Sequence, residues 1–442
     1  MMIEMEKKEK LAVIIIIGLL VSNFGVGAIG QFLTYGDDRQ GDTIERIFLF
    51  SIDGSNPEYL SPTYMPMLYS LLKDQGIMFQ NAWAPIAAQT MNGHTTMLTG
   101  CYPNSTGIIG NSIYIKGLSD EDQPKNPVQD PKYRFVNTIF EDLKTKPILQ
   151  QKTTGFVSGK WRLPSFLSQE ADFVFAAPNS KLPLCPSGYE SLVGYPLAYS
   201  DGDLIDQWIM TALTHLVYKD DPQFVFINLA WSDVVGHDTG SLNPNHARVL
   251  RAVDANIMQF IVDLKSMGKY DSSLFIFTGD HGMESIYNIL YLGPLLSDNE
   301  IAVDQIHIEG HSAFIFLTNP GDTAAAVSIL KNNEKVAVVL PRNEMHTLHL
   351  DTDYNRTGDI YISAKDNIQV VKRDSGFAMI GTHGGVSCRD VPLAFMGPTI
   401  KKGEFIQETI PEIADIVPTI YDIWGLTVPN YMDGRILHEI FV

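Results

Sequence analysis

Three runs of apolar residues in this chain stop abruptly at a metal-type ligand. IFLFSIDG ends in Asp53, FVFINLAWSDVVGH carries Asp233 and His237 on the turn expected after its strand, with Gly236 giving the backbone freedom to direct both inward, and LFIFTGDHG ends in Asp280 and His281; a further imidazole, His383, follows in MIGTHGG. A hydrophobic strand that ends in a carboxylate or imidazole is costly to bury unless that group has a partner. In open α/β sheets the carboxyl ends of the strands are also where ligands bind. Three Asp and three His arriving in this way point to one composite site holding two divalent cations.

The order of elements gives the sheet that would carry such a site. The first strand is expected at Ile47–Ile52, a helix near Met65–Gln75 ending at Gly76 as its C-cap, and a returning strand in GIMFQNAWAP. Two more strands are expected at Thr154–Ser158 and Asp172–Ala176, and helices at Asp203–Tyr218 and Asn245–Met267 each precede a ligand-bearing strand. Strands and helices alternating at these intervals predict an α/β fold with a doubly wound, mainly parallel sheet. Between 285 and 380 the texture changes: SAFIFLTNP, KVAVVLP, HTLHLDT and DIYISAK read as short strands around a helix at Ala324–Lys331. The core is therefore expected to comprise 46–284 and 381–442, interrupted by a small α+β insertion at 285–380. Residues 119–133 are polar and rich in Pro, as in a surface loop.

The N-terminus reads as a targeting segment. Leu11 to Gly36 is a stretch of about 26 residues without a charge, longer than the roughly 20 needed to span a bilayer. Lys7, Lys8 and Lys10 precede it, and Asp37, Asp38 and Asp42 follow. That bias favours an anchor in residues 1–36, with the N-terminus inside and the main body outside, joined by a polar linker at 37–45. A cleaved signal peptide processed near Gly25, Gly27 or Ala28 is the competing reading, and would give a secreted protein. The formal net charge of −19 argues against a nucleic-acid-binding surface. Any anionic substrate must therefore be attracted locally, by metal ions or a few cationic side chains. The three cysteines, Cys101, Cys185 and Cys388, show no metal-binding spacing and allow at most one disulfide.

Mixed carboxylate and imidazole ligation suits zinc, with manganese or iron as alternatives. A nucleophile is expected beside the ions, and PIAAQTMNGHTTMLTGCYP offers Thr90, Thr95, Thr96 and Thr99. A Thr hydroxyl is a poor nucleophile until a metal or base activates it. Chemistry alone does not choose among the four.

The ordered set Asp53, Thr90, Asn111, Asp233/His237, Asp280/His281 and His383 resembles the alkaline phosphatase superfamily, in its nucleotide pyrophosphatase/phosphodiesterase branch. FSIDGSNPEYL is similar to that family's first strand and metal Asp, and QTMNGHTTMLTGCYPNSTGIIGNSIY to its nucleophile helix. There the attacking Thr lies nine residues before a Thr-Gly pair; counting back from Thr99-Gly100 implies Thr90. The resemblance also implies that Asn111 donates to the transition-state oxygen. It assigns one ion to Asp53, Thr90, Asp280 and His281, and the other to Asp233, His237 and His383. The implied activity is two-metal hydrolysis of a phosphodiester or pyrophosphate bond in a small phosphate-ester substrate, through a covalent threonine intermediate.

The family's usual Pro-Asn-His after the nucleophile reads Asn92-Gly93-His94 here, and the expected His before Gly107 is Thr106. SGKWRLP resembles a segment near the phosphate site of related hydrolases, which would let Lys160 neutralise substrate charge; an exposed or ion-paired lysine is its plainer reading. His94 reads as a packed helix residue. CYPNS at Cys101 resembles the sulfatase motif but fails it, having Ser105 where an Arg is required and lying after the Thr-Gly pair. A phosphomonoesterase or phosphonate hydrolase on the same scaffold, and a non-catalytic metal-binding surface protein, are the alternative functions.

Overall fold

The computed structural model describes residues 44–145, 152–178, 184–194, 202–373 and 379–442. The apolar segment at 1–36 and most of the 37–45 linker lie outside these residues. Among the described residues no helix is long and apolar enough to cross a membrane.

Twelve strands organise the fold: β1 (Arg46–Ile52), β2 (Gly76–Trp83), β3 (Thr154–Ser158), β4 (Phe173–Ala176), β5 (Phe224–Leu229), β6 (Ser273–Thr278), β7 (Val303–Glu309), β8 (Ser312–Leu317), β9 (Val336–Pro341), β10 (Ile360–Ala364), β11 (Asp390–Met396) and β12 (Glu404–Ile406). Eight form the central sheet in the order β12-β2-β11-β6-β1-β5-β3-β4. Only β11 runs against its neighbours; the other pairings are parallel. All seven residues of β1 are buried, as expected of a parallel strand covered on both faces.

The alternation along β1 shows what covers each face. Ile47 and Leu49 join a cluster with Phe224, Ile276 and the C-terminal residues Ile416, Val417 and Ile420. Phe48 and Phe50 point the other way, where the Phe260 ring lies 5.2 and 6.1 Å from theirs. Phe260 belongs to the long helix Pro244–Ser266, whose N-cap Asn243 accepts the Asn245 and His246 amides. Full burial of each such aromatic side chain contributes about 1.5–3 kcal/mol.

The stretch expected to be an insertion supplies a second, antiparallel sheet in the order β9-β10-β8-β7, with the helix Thr323–Lys331 contributing Ala326 and Leu330 to its apolar cluster. HTLHLDT is not a strand. Residues Arg342–Leu348 form a 3-10 helix ending at His349 with φ 55°, and its Met345, with Leu350, is buried in a small apolar cluster. Apolar alternation here served a tight turn, where every third residue faces inward. Gly76 stands at the C-cap of helix Pro66–Gln75 but is extended, with φ −131° and ψ −174°. Its chain runs straight into β2 instead of turning through a left-handed cap.

Candidate active site

Adjacent strands β6, β1 and β5 lie in register, Ser51 being opposite both Thr278 and Asn228. Their carboxyl ends therefore open at one level, and Asp53, Asp280 and the segment carrying Asp233 emerge side by side. Asp233 and His237 sit on a helix, Trp231–Thr239, and not on a turn. One helical turn apart, they share a face. The helix is started from a distance, because Asp206 accepts the Ala230 amide at 2.9 Å and the Trp231 amide at 3.3 Å. Gly236 serves close packing there, not backbone freedom: a Cβ would lie 2.8 Å from the Met283 side chain.

The helix Thr90–Thr99 ends the set from another direction. Thr90 stands at its first turn, with Oγ1 3.2 Å from His281 Nε2 and 3.1 Å from Lys160 Nζ. Thr95 and Thr99 donate their hydroxyls to carbonyls of the same helix, and Thr96 Oγ1 is buried without a partner. Gly93 lets this helix touch the backbone after β6, since a Cβ would stand 2.2 Å from the Asp280 carbonyl. The Met91 amide is taken by Asn111 Oδ1 at 2.9 Å and the Asn92 amide by the Gln89 side chain, while the positive end of the helix dipole favours negative charge in front of Thr90.

The three imidazoles are oriented alike. His237 Nδ1 bonds to the Gly381 carbonyl at 2.9 Å, His281 Nδ1 to the Gly282 carbonyl at 2.8 Å, and His383 Nδ1 to the Ala88 carbonyl at 3.0 Å. Each ring thus donates from Nδ1 and turns the Nε2 lone pair inward. Those Nε2 atoms lie 3.4, 3.9 and 3.7 Å from Asp233 Oδ1, and the His281 and His383 rings stack at 3.6 Å. Burial lowers the His281 imidazole to about 4. Burial, and then His281 and His237, hold His383 well below its ordinary range. Neutral rings are what cation ligation requires.

The carboxylates divide by environment. Burial, reinforced by Asp280, raises Asp53, and burial raises Asp280. Burial also acts on Asp233, but Lys160 and the three imidazoles outweigh it and hold that carboxyl well below its usual range. Asp53 accepts from Lys160 at 2.7 Å and from Asn228 Nδ2 at 2.8 Å. Asp280 accepts the Gly54 amide at 3.1 Å. Asp233 Oδ1 and Asp280 Oδ2 remain buried with no hydrogen-bond donor. Two orphaned carboxylate oxygens among bare imidazole nitrogens are a donor set that fits divalent cations.

Lys160 is neither exposed nor peripheral. It is 2% exposed, and Nζ bridges Asp53 and Asp233, 2.9 Å from the latter, beside Thr90 Oγ1. His94 lies 3.2 Å from Asp280, but its Nδ1 meets the Thr90 carbonyl at 2.8 Å and its Nε2 meets Ser51 Oγ at 2.9 Å. Both its nitrogens are engaged, so it packs the helix against β1. Asn111 is placed at the same helix start: Oδ1 accepts the Met91 amide at 2.9 Å, and Nδ2 donates to Gln89 Oε1 at 2.7 Å.

Three contributors were not visible in the sequence. Glu309, at the end of β7, accepts the Asn111 amide at 2.9 Å, the Ser112 amide at 3.1 Å and the Ser112 hydroxyl at 2.6 Å. Gln89 and Asn228 hold Asn111 and Asp53. Gln89 stands directly before Thr90 and Asn228 within the strand that leads to Asp233, and those places were their only signals; Glu309 lies near no ligand motif. All three cysteines are free. Burial pushes the Cys101 thiol up to about 12, which leaves it unreactive and away from the chemistry.

A family model described as type I phosphodiesterase / nucleotide pyrophosphatase matches residues 47–386. The chain is 24% identical over 424 residues to a bis(5'-adenosyl)-triphosphatase of Mus musculus, covering 92% of this chain and 84% of that protein. It is 21% identical over 413 residues to ectonucleotide pyrophosphatase/phosphodiesterase 2 of Saccharomyces cerevisiae, covering 83% and 79%. Two solved structures share the fold. Inactive murine ectonucleotide pyrophosphatase / phosphodiesterase 5 in complex with AMP superposes with a TM-score of 0.69 at 16% identity, over 90% of this chain and all of that one. Phosphonoacetate hydrolase from Sinorhizobium meliloti with phosphonoformate gives 0.69 at 18% identity, over 87% and 96%.

Proposed function

The chain belongs to the type I phosphodiesterase / nucleotide pyrophosphatase family of hydrolases, and from that premise we propose that it cleaves phosphodiester or pyrophosphate bonds of small nucleotide-type substrates, with Thr90 as nucleophile. The observation that carries the reading is the meeting of Asp53, Asp233, Asp280 and three inward-facing imidazole Nε2 atoms around the Thr90 hydroxyl. Asp53, Asp280, His281 and Thr90 would hold one divalent cation, and Asp233, His237 and His383 a second, with zinc the ion best suited to this donor set. When bound, such a pair supplies the positive charge that favours an ionised nucleophile and leaving oxygen.

The chain's own groups do the rest. Thr90 Oγ1 attacks phosphorus in line with the departing oxygen, forming a Thr90–phosphorus bond as the ester bond breaks. Asn111 Nδ2, through the hydrogen not given to Gln89, and the Thr90 backbone N–H receive the non-bridging oxygen as charge grows on it; removing one such donor costs about 10²–10³ in rate. Lys160, beside Oγ1, favours the alkoxide. Water then hydrolyses the threonine ester and restores the hydroxyl. The names of the relatives support a nucleotide substrate outside the cytoplasm; the apolar 1–36 segment would anchor the enzyme there, or be cleaved to release it.

A phosphonate or phosphate monoester is the second reading, favoured by Lys160, which adds a cation beside the nucleophile for a more highly charged substrate. One experiment separates these. The purified chain is assayed on a chromogenic diester, a monoester, a sulfate ester and a phosphonate, with and without Thr90→Ala. We expect diester hydrolysis to dominate, to vanish in the variant and with chelator, and to return with zinc. Diester hydrolysis that survives Thr90→Ala unchanged refutes the nucleophile assignment.

A further inference from the structure

Behind the ligand loops lies a second cluster of metal-type side chains that the reaction does not use. Glu284, His311 and Cys388 place one carboxylate oxygen, one imidazole nitrogen and one sulfur all within 4.8 Å of one another. His311 and Cys388 are each 1% exposed, and the Glu284 side chain is 15% exposed. We propose that Glu284, His311 and Cys388 bind a third divalent ion of the zinc class, which ties together the segments carrying His281 and His383.

The geometry supplies the argument. His311 Nδ1 lies 2.7 Å from the Ile368 carbonyl and Nε2 a longer 3.4 Å from the Thr382 carbonyl, so the shorter contact favours donation from Nδ1 and leaves Nε2 as the nitrogen available to the cluster. That Nε2 is 3.7 Å from Glu284 Oε2, an oxygen that accepts only a backbone N–H, from Asn367 at 2.9 Å. At 3.7 Å the nitrogen and the carboxylate oxygen are too far apart to share a hydrogen bond, and the gap between them suits a cation. Burial raises the Cys388 thiol well above its ordinary range, opposed by the Gly384 and Gly385 amides and the Ser387 hydroxyl; a bound divalent ion would take up the thiolate as its proton leaves.

Charge and size also agree. A thiolate, a carboxylate and a neutral imidazole around a divalent ion give a complex with no net charge, the form a buried site tolerates best. Ligand atoms on a tetrahedral zinc stand about 3.3–3.8 Å apart, given its bond lengths. The Glu284–His311 separation of 3.7 Å already falls there, and no pair in the cluster exceeds 4.8 Å, so closing on an ion takes shifts of at most about 1 Å among the three side chains. A thiolate among the ligands selects zinc over magnesium or calcium.

The three residues come from three chain segments that brace the active site. Glu284 pairs with Thr382, next to His383. The His311 amide donates to the His383 carbonyl at 3.0 Å, and the Gly282 amide to the Cys388 carbonyl at 2.7 Å. An ion here would fix both ligand loops against the antiparallel sheet of β7–β10.

Cobalt reports this site separately from the catalytic one, because only this cluster contains sulfur. The full chain, purified under reducing conditions and stripped of metal, is titrated with cobalt(II) and followed in the near ultraviolet, where thiolate-to-cobalt charge transfer absorbs. We expect such a band in the wild type and in Cys101→Ser, and its loss in Cys388→Ser and His311→Gln. Zinc content by mass spectrometry should fall by one equivalent per chain in either of the last two variants. Absence of the band in the wild type at saturating cobalt, or its persistence in Cys388→Ser, overturns the proposal. The wild-type titration stands even if a variant fails to fold, and neither readout depends on how the catalytic ions are arranged.

Discussion

Glu309→Gln tests how the site is held in place. The carboxylate is 3% exposed and receives the Asn111 and Ser112 amides and the Ser112 hydroxyl, with His307 Nε2 3.1 Å away. It fixes the turn from which Asn111 reaches the start of the helix that carries Thr90. Glutamine keeps the shape but replaces one acceptor oxygen with an NH2 that must face another donor. A hydrogen bond to a charged group is worth about 1.5–3 kcal/mol, so losing one and weakening the others should cost about 2–4 kcal/mol of stability. In the proposed mechanism the Asn111 side-chain Nδ2 donates to developing charge, a contribution of about 10²–10³ in rate. Its partial displacement should lower kcat about ten- to a hundred-fold and change KM less. The assay is steady-state diester hydrolysis by wild type, Glu309→Gln, Asn111→Ala and the double variant, well below each melting temperature. Because Glu309 acts through Asn111, the double variant should be no slower than Asn111→Ala within about three-fold, since coupled residues do not add. An unchanged kcat in Glu309→Gln, or losses that multiply in full, refutes the positioning role.

Lys160→Met leaves Asp53 and Asp233 without their ammonium. Breaking a buried pair costs about 3–5 kcal/mol, so the chelated variant should melt well below chelated wild type, and added zinc should raise its Tm by more; equal melting of the chelated proteins contradicts this. Asp254 accepts the Met67 and Leu68 amides at 3.0 and 2.8 Å, yet burial raises its carboxyl from 3.8 to about 6. The folded state then binds that proton more tightly than the unfolded one, so stability falls as pH rises from about 4 to 6. Chemical denaturation should show the wild-type stability, relative to Asp254→Asn, falling by about 3 kcal/mol across that window; a difference independent of pH refutes it. Gly93→Ala would drive a Cβ into the Asp280 carbonyl, and should cost about 1–3 kcal/mol or more together with most of the diester activity. A variant that melts and turns over like wild type shows that the helix has room to move.

Much of the site was legible because its chemistry sits at conspicuous places in the chain. Asp53 and Asp280 end apolar strands, where an unpaired charge would be costly, and that cost marks them without any structure. His383 stood out as the imidazole in the Gly-flanked MIGTHGG. Lys160 was ambiguous, because a lone lysine after a short strand carries no sign of what it will face; only the alignment of β3 beside β5 brings it to Asp53 and Asp233. Glu309 was illegible, since its partners Asn111 and Ser112 lie 198 and 197 positions away and a Glu at the end of an insertion strand resembles any surface carboxylate. The helix under Asp233 and His237 was read as a turn because its start is capped by Asp206, from a different helix. HTLHLDT was misread because apolar alternation over a few residues fits a 3-10 turn as well as a strand.

Local pattern and covalent order determined the strands, the ligands they deliver, and the helix that carries Thr90. These follow from the period of burial and from the cost of stranding a charge, both of which act within about ten residues. The tertiary structure decided what each ligand meets: three imidazoles turned inward by backbone carbonyls, an ammonium between two carboxylates, and a glutamate from the second sheet pinning Asn111. Except for the Gly282 carbonyl beside His281, these contacts join segments more than seventy residues apart, and their energies depend on distances of a few ångströms that only the packed sheet sets.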